Sequence, residues 1–368
     1  MGSKMYKNDL GAVACGGQIE EDGDGVVCYI SDEVPGITRR KCGRGFSYLD
    51  GQGKRVADRG ELERIKSLVI PPAWTDVWIS PLAQGHIQAT GRDAKGRKQY
   101  IYHPQWTAAR QQNKFARLID FGRALTRIRR QVDRDLRRPK MDLEKVCAIA
   151  VALLDSTKIR IGNREYRRQN RSYGLTTLEN RHVEVSGATI QIDFTGKSGK
   201  HHKIDIYDRR LARQVLRCQE LPGQELFQYL DEEGSRRPLN SEDVNAYLQR
   251  SAGKTFTAKD LRTWWGTVLM AEALHAATGD GNTGGAAKRR ITAAVRKVAA
   301  ALGNTITVCR QYYIHPGVMD AFENGRLAAS FKSSRHAEPR SGAIGLSPAE
   351  SAVLRILKDE RKTKANVN

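Results

Sequence analysis

The hydrophobic pattern changes near residue 105, and this change constrains the fold more than any other feature of the sequence. From about residue 33 to 105, short apolar stretches such as SLVI and DVWIS alternate with turn signals such as DGQG and PPAW, which is typical of strands. From Arg110 to Lys140, apolar residues recur at steps of three and four, as on one face of a helix. Strands and helices in separate parts of a chain predict an α+β fold.

Most of the chain after residue 105 has a helical pattern. The stretch at 142–157 is a mostly buried helix with Asp142 as its candidate N-cap. Ser347, Pro348 and Glu350 form a capping-box pattern that predicts a last short helix. The other predicted helices are, in chain order, 241–250, about 258–277, about 285–302 and one around Tyr313.

One segment of this half alternates with period two instead. In RHVEVSGATIQIDFTGKSGKHHKIDI (181–206), the apolar residues Ile190, Ile192 and Phe194 lie on one face of a predicted strand. Ser-Gly and Gly-Lys-Ser-Gly interrupt the alternation, so we predict a three-stranded β meander.

The length and these patterns predict two domains with additions at both ends. We expect a flexible lead-in at 1–32, a small sheet-rich domain at 33–105 that clamps DNA, and a larger, mainly helical catalytic domain at 106–340. A basic C-terminal tail with a short helix is expected at 341–368.

Composition indicates the kind of partner. The chain has 62 Lys and Arg against 41 Asp and Glu, a net charge of +21, which favours a polyanion. The cationic face of the helix at 110–140 is either solvated or in contact with phosphates. Without a long apolar run or a signal pattern, a cytoplasmic protein that binds no membrane is expected. The six cysteines lack zinc or disulfide spacing, and we expect reduced, mostly buried thiols.

Two adjacent tyrosines, Tyr312 and Tyr313, raise the possibility of covalent chemistry on DNA. A phenol that attacks a phosphodiester must lose its proton while negative charge builds on the phosphoryl oxygens. Arginine suits that charge because its planar fork donates two hydrogen bonds to one phosphate, and a lysine can protonate the leaving oxygen. The residue types alone do not distinguish the two tyrosines, nor do they select among the 62 basic residues.

Four stretches make that selection, because in this order they resemble the signature segments of type IB DNA topoisomerases, the small form found in bacteria and poxviruses. They are KIRIGNREY (158–166), DFTGKSGK (193–200), AKDLRTWWGT (258–267) and LGNTITVCRQYYIHP (302–316). The resemblance spans about residues 35 to 320.

The resemblance implies a catalytic role for five residues. Arg160 and Arg262 are expected to clamp the scissile phosphate, and Lys197 to act as general acid. Tyr313 is the expected nucleophile, because the family places its tyrosine just before an apolar-Asp/His-Pro sequence, here Ile-His-Pro. Asn304 occupies a fifth catalytic position, which is often His in the family.

The resemblance also implies the partner and the reaction. The expected DNA contacts are Lys259, Gln99, Tyr100, Tyr102 and Tyr166. The implied activity is the relaxation of supercoiled duplex DNA through a 3′-phosphotyrosyl intermediate, without ATP, a metal or another cofactor. A monomer clamped around DNA in the bacterial nucleoid is expected.

Two other functions are compatible with the same residues. A tyrosine recombinase shares this chemistry, but it usually carries His-x-x-Arg at the second arginine, where this chain has Lys-Asp-Leu-Arg at 259–262. A non-catalytic, basic DNA-binding protein is compatible with the composition alone. The GKS at 196–198 does not indicate a nucleotide triphosphatase, because Gln191 stands where a P-loop requires glycine.

Overall fold

The chain folds into two compact units, Met1–Asn113 and Lys114–Asn368. The computed structural model describes residues 5–8, 11–14, 20–22, 25–277, 284–334 and 344–365. Residues 1–4, 9–10, 15–19 and 23–24 of the expected lead-in therefore lie outside the described residues.

The small unit consists mainly of antiparallel strands. Its elements are β1 (Met5–Asn8), β2 (Gly11–Ala14), β3 (Glu20–Asp22), β4 (Gly25–Val27), β5 (Ile37–Cys42), β6 (Gly45–Leu49), α1 (Arg59–Ser67), β7 (Thr75–Ile79), β8 (Ile87–Arg92) and β9 (Lys98–Tyr102). A five-stranded sheet has the order β6-β5-β7-β8-β9. β1 pairs with β2 and β3 with β4 in separate two-stranded sheets.

Apolar side chains cover both faces of the five-stranded sheet. Along β7, Val77 and Ile79 pack in a cluster with Ile65 of α1, whereas Trp78 belongs to a second cluster that includes Cys28. Adjacent residues of a strand point to opposite faces, so each face has its own small core. The sheet-rich domain predicted from the first third of the sequence is confirmed.

The large unit is mainly helical. After α2 (Pro104–Asp135), which contains the boundary between the units, come α3 (Leu143–Thr157), α4 (Arg164–Asn170), β10 (Val183–Ser186), β11 (Thr189–Thr195), β12 (His201–Tyr207), α5 (Arg209–Gln219), β13 (Gln228–Leu230), β14 (Arg236–Pro238), α6 (Ser241–Ala252), α7 (Ala258–Ala276), α8 (Gly284–Ala301), α9 (Ile306–Tyr312), α10 (Pro316–Glu323), α11 (Arg326–Ser334) and α12 (Pro348–Ala365). Short 3-10 turns lie at Leu175–Thr177, Asn180–His182 and Lys197–Gly199. No helix within the described ranges is both long and apolar enough to cross a membrane.

The predicted helix faces and the predicted meander are both present. The apolar face of α2 is buried, with Leu118, Leu125 and Ile128 in the core of the large unit. The Asp142 side chain accepts a hydrogen bond from the Lys145 backbone N–H at 3.0 Å, which caps α3 as predicted. β10, β11 and β12 form an antiparallel three-stranded sheet. The α+β fold class is therefore confirmed.

The end of the chain is folded more extensively than the sequence predicts. The predicted capping box is present, because Ser347 Oγ accepts from the Glu350 N–H and a Glu350 carboxylate oxygen accepts from the Ser347 N–H. The helix that it begins, α12, has 18 residues instead of a short run. Its residues Ala352, Val353 and Leu357 are buried in the large unit's core, so this helix is part of the domain and not of a free tail.

The remaining differences concern weakly patterned segments. α1 buries only Ile65, and α4 has no buried residue, so neither has the apolar stripe by which a helix is recognised. His201 and His202 are the first two residues of β12. Among the described cysteines all are free, and only Cys42 is exposed.

Candidate active site

A cavity of about 590 Å³ in the large unit brings together residues that are far apart in the sequence. Its walls come from the segment that leads into α4, the turn between β11 and β12, the first turns of α7 and the end of α9. The predicted site residues in its lining are Arg160, Tyr166, Lys197, Lys259, Arg262 and Tyr313.

Arg262 is the most buried cation of this group, with 6% of its surface exposed. It lies on α7 and donates to two backbone carbonyls, Leu302 O at 2.7 Å and Lys158 O. Burial, followed by the charge of Arg160, lowers the pKa of Arg262 to about 10, against an opposing effect of Tyr313. The side chain therefore stays charged at neutral pH, bound to carbonyls and not to a carboxylate.

Arg160 lies in the turn between α3 and α4. Lys158, at the end of α3, and Gly162 both have positive φ values, 59° and 101°, which reverse the chain. A Cβ on Gly174 would lie 2.6 Å from Gly162 Cα, so the turn packs tightly against the next loop. The Arg160 guanidinium donates to Gly303 O at 3.1 Å, and burial lowers its pKa.

Asn304 is buried behind Arg160. Its side-chain oxygen accepts a hydrogen bond from Arg160, and its backbone carbonyl accepts from Lys200 Nζ at 2.8 Å. The atom that faces Arg160 must be the oxygen, because a guanidinium has only donors. Within the described part of the chain, Asn304 Nδ2 and Arg262 Nε are buried without a hydrogen-bond partner. Two buried donors without partners favour an anionic ligand nearby.

Tyr313 ends α9 as its C-cap, and its backbone N–H donates to Cys309 O at 3.0 Å. Its ring centroid lies 5.4 Å from the Arg262 guanidinium carbon. Gly266 of α7 packs directly under this residue, since a Cβ there would lie 2.3 Å from Tyr313 O. The neighbouring Tyr312 is 37% exposed. Of these two adjacent tyrosines, Tyr313 lines the cavity and Tyr312 does not.

The two predicted lysines are more exposed. Lys197 lies in the 3-10 turn Lys197–Gly199 between β11 and β12, and its Nζ is 5.6 Å from the ring centroid of Tyr166. Lys259 is exposed on the first turn of α7. Since Lys197 is on a turn and Arg160 and Arg262 are held by carbonyls, the lysine has more freedom to reach a ligand than either arginine.

The other predicted DNA contacts lie on β9 of the small unit. Tyr100 and Tyr102 are exposed and stack with a ring separation of 5.9 Å at 11°. They alternate along the strand with Gln99, whose side chain instead donates to Asp93 at 3.0 Å. The structure therefore groups the two tyrosines on one face and separates Gln99 from them.

Some neighbours of the site were missed in the sequence. Lys200 lies in the segment DFTGKSGK without a predicted role of its own, yet its Nζ donates to Asn304 O. His202 stacks on Phe194 at 4.9 Å, and burial together with the charges of Arg160 and Arg262 lowers its pKa. The alternation of β12 could have placed His202 on the same side of the sheet as Phe194, but no local signal connects it to Arg160.

This arrangement can bind a tetrahedral anion, such as a phosphodiester, beside a phenol. The buried guanidinium of Arg262, the half-buried guanidinium of Arg160, the exposed Lys197 and Tyr313 line one cavity, and the buried amide nitrogen of Asn304 lies behind Arg160. Preorganised donors of this kind stabilise negative charge that develops in a transition state.

Known proteins resemble this chain over most of its length. The family described as eukaryotic DNA topoisomerase I, catalytic core, matches residues 103–337, and that described as bacterial DNA topoisomerase IB, N-terminal domain, matches residues 45–93. The chain is 32% identical over 297 residues to DNA topoisomerase 1B of Acanthamoeba polyphaga mimivirus, which covers 79% of this chain and 88% of the relative. It is 24% identical over 275 residues to DNA topoisomerase 1B of vaccinia virus, strain Western Reserve, which covers 72% and 82%.

The chain is therefore a DNA topoisomerase, an isomerase that acts on DNA topology. More particularly, it belongs to the type IB family. This assignment favours the topoisomerase over the recombinase and the non-catalytic DNA-binding protein.

Proposed function

We propose that this topoisomerase relaxes supercoiled duplex DNA by reversible transesterification at Tyr313. The observation that carries the proposal is the position of Tyr313 in the lining of the cavity that Arg160, Arg262 and Lys197 also line. Both arginines bind backbone carbonyls, and no carboxylate among the described residues forms an ion pair with either of them. A phosphodiester supplies the negative charge that such a site lacks.

In the proposed cleavage step, the Tyr313 oxygen forms a bond to phosphorus and the bond from phosphorus to the 5′ oxygen breaks. The phenolic proton passes to solvent. Lys197 gives a proton to the leaving 5′ oxygen, so a 5′-hydroxyl end and a 3′-phosphotyrosyl bond result. The cleaved strand rotates about the intact one, and the reverse reaction restores the backbone.

The arginines and Asn304 have separate parts in this step. Arg160 and Arg262 contact the nonbridging oxygens, on which charge builds during the attack. Asn304 holds Arg160 through its amide oxygen and has its amide nitrogen available as a further donor. Because an amide has no charge, we expect a smaller contribution from Asn304 than from either arginine.

The energy of the broken phosphodiester is kept in the phosphotyrosyl bond, so religation needs no ATP. The charge stabilisation is assigned to side chains of the chain itself, and we propose that no metal is needed. Lys259 and Tyr166 at the cavity, and Tyr100 and Tyr102 on the small unit, are the proposed contacts to duplex DNA, with the protein acting as a monomeric clamp. Gln99 and a location in the bacterial nucleoid remain predictions from the sequence.

Plasmid relaxation tests this proposal. Negatively supercoiled plasmid is incubated in EDTA without ATP with the wild type, Tyr313→Phe or Tyr312→Phe, the last as a matched control because it removes the adjacent hydroxyl. We expect relaxation by the wild type and by Tyr312→Phe, and none by Tyr313→Phe. Relaxation by Tyr313→Phe, or a strict need for a metal in the wild type, would contradict the proposal.

A further inference from the structure

Lys114 contacts the segment that carries the proposed nucleophile. It lies on α2 and is the first residue of the large unit. Its Nζ donates to the Tyr312 backbone carbonyl and lies 5.0 Å from the ring centroid of Tyr313. A cation at that distance from an aromatic ring is attracted to the ring's face. One ammonium group thus holds both the backbone and the side chain at the end of α9.

The next residue of α2 contacts the other end of the same segment. The Phe115 ring lies 5.0 Å from the His315 ring in an edge-to-face arrangement. His315 is itself bound to α7, because its backbone N–H donates to Thr267 Oγ1 at 3.1 Å. The segment from Tyr312 to His315 is therefore held between α2 and α7, with Lys114 of α2 and Arg262 of α7 as charged contacts to the two tyrosines.

The surroundings of Lys114 disfavour its charged form. Burial, followed by the charge of Lys259, lowers the pKa of Lys114 to about 8, against an opposing effect of Asp260. The aromatic ring of Tyr313 also lies near Arg262. A half-buried lysine among other cations is unfavourable unless a specific contact needs the charge.

We propose that Lys114 is a positioning residue for the cleavage reaction: its ammonium group fixes the Tyr312 carbonyl and the Tyr313 ring so that the Tyr313 hydroxyl stays beside Arg262. The inference rests on the proposed function of Tyr313. It assigns part of the cationic face of α2 to the protein's own nucleophile and not to DNA phosphates. A group that holds the attacking residue affects cleavage and religation alike, because both pass through one transition state.

The test is single-turnover cleavage of a DNA duplex in which a nick ends the leaving strand. The protein is in saturating excess over the DNA. Lys114→Met removes the charge and keeps the length of the chain, Lys114→Arg keeps the charge, and Lys254→Met is the matched control. Lys254 also lies in the large unit, where its Nζ pairs with Asp120 at 2.8 Å. Thermal unfolding of each variant shows whether it is folded.

We expect Lys114→Met to cleave about 5- to 30-fold more slowly, as the loss of a cation–π contact and of its hydrogen bond implies. Religation should slow by the same factor, so the cleavage equilibrium stays unchanged. Lys114→Arg should restore most of the rate, and Lys254→Met should match the wild type.

The pH profile separates charge from shape. The charges of Lys259 and Asp260 on α7 act on Lys114, whose pKa is about 8, and Arg262 on α7 lies beside the Tyr313 ring that Lys114 also contacts. The lysine loses its charge as the pH rises through that value, so the wild-type rate should fall relative to Lys114→Arg above about pH 8. Lys114→Met should lack this decrease.

Three outcomes would overturn the inference. Cleavage by Lys114→Met at the wild-type rate would show that the contact of Lys114 with the two tyrosines does not affect the reaction. Equal losses in Lys114→Met and Lys114→Arg would assign the effect to packing. Weaker DNA affinity with an unchanged rate at saturation would make Lys114 a phosphate contact. If the wild type itself formed no covalent complex, the proposed function would fail before this inference was reached.

Discussion

At the residue scale, Asn304 has one bound side-chain atom and one without a partner. Its oxygen accepts from Arg160, whereas Nδ2 is buried without a partner among the described residues. Asn304→Asp replaces that donor by an acceptor and places a negative charge against Arg160. We expect cleavage to slow by about 100-fold or more, as when an oxyanion donor is removed. Single-turnover cleavage at saturating protein measures the change.

Asn304→His is the comparison for this variant. Histidine also offers a donor, a ring N–H, at this position, where the resemblance implies that the family often has histidine. We therefore expect Asn304→His to keep much of the cleavage rate. Equal rates for Asn304→Asp and the wild type would mean that Nδ2 contacts no phosphoryl oxygen.

The sequence could name these residues but not their contacts. The choice of Arg160, Arg262 and Tyr313 came from short motifs that resemble a family. The Arg160–Asn304 bond joins residues 144 positions apart, and the Lys114–Tyr312 bond joins residues 198 apart. Contacts over such separations depend on how the helices pack, and no local pattern in the sequence records them.

At the element scale, the packing of α7 against the end of α9 sets the position of Tyr313, the proposed nucleophile. Gly266 allows this approach, because a Cβ there would lie 2.3 Å from Tyr313 O. Gly266→Ala raises helix propensity by about 1 kcal/mol but forces the Tyr313 backbone to move. We expect cleavage to fall by about 10-fold or more, since a shift of about 1 Å can cost as much as 100-fold.

Gly285→Ala in α8 is the control for that variant, since its Cβ would meet nothing nearer than Arg289 Nη1 at 3.7 Å. DNA affinity and cleavage should both be unchanged there. Single-turnover cleavage and fluorescence anisotropy with labelled duplex give the two quantities. A Gly266→Ala protein that cleaves at the wild-type rate would show that the two elements adjust without moving the hydroxyl.

α12 is attached to the large unit by an ion pair between the buried Glu350 and the half-buried Arg129. Glu350 accepts from Arg129 Nη2 at 2.8 Å and from Trp264 Nε1 at 3.2 Å. Burial would raise the pKa of Glu350, but the hydrogen bond and charge of Arg129 outweigh it and lower the pKa below 4.5. We expect Glu350→Gln to lower the free energy of unfolding at pH 7 by about 2 kcal/mol, as urea denaturation would measure.

The pH dependence of that loss follows from the lowered pKa. The stability that ionised Glu350 contributes is fully present above the unfolded value of 4.5 and is lost as the pH falls through the lower folded pKa. The difference between wild type and Glu350→Gln should therefore shrink below about pH 4.5. Glu323→Gln, at an exposed position of α10, is the control. A difference that is constant with pH would mean that the charge of Glu350 is not the cause.

Elements with a strong apolar period were predictable from the sequence, and those without one were not. α2, α3 and the meander have continuous stripes, and Asp142 and Ser347 mark the starts of α3 and α12. α4 has no buried residue, so only its caps and its neighbours determine its helical form. The length of α12 depends on burial against the other helices of the large unit, which tertiary contacts decide.

At the scale of the whole molecule, charge and architecture have complementary roles. The net charge of +21 attracts DNA without selecting a sequence. In the proposed mechanism, the large unit holds Arg160 and Arg262 by backbone carbonyls beside Tyr313 and so directs this general attraction to one phosphate. The fold therefore supplies position, and the composition supplies affinity.

The most direct test of the central claim is to identify the residue bonded to DNA. The protein is trapped on a duplex in which the released fragment, which carries the new 5′-hydroxyl, is too short to stay annealed. The complex is digested with trypsin and nuclease, and the peptides are sequenced by mass spectrometry. The account predicts a nucleotide 3′-phosphate attached to Tyr313. A phosphate on Tyr312 or on any other residue, a link through the 5′ phosphate, or DNA cleavage with no covalent adduct would contradict it.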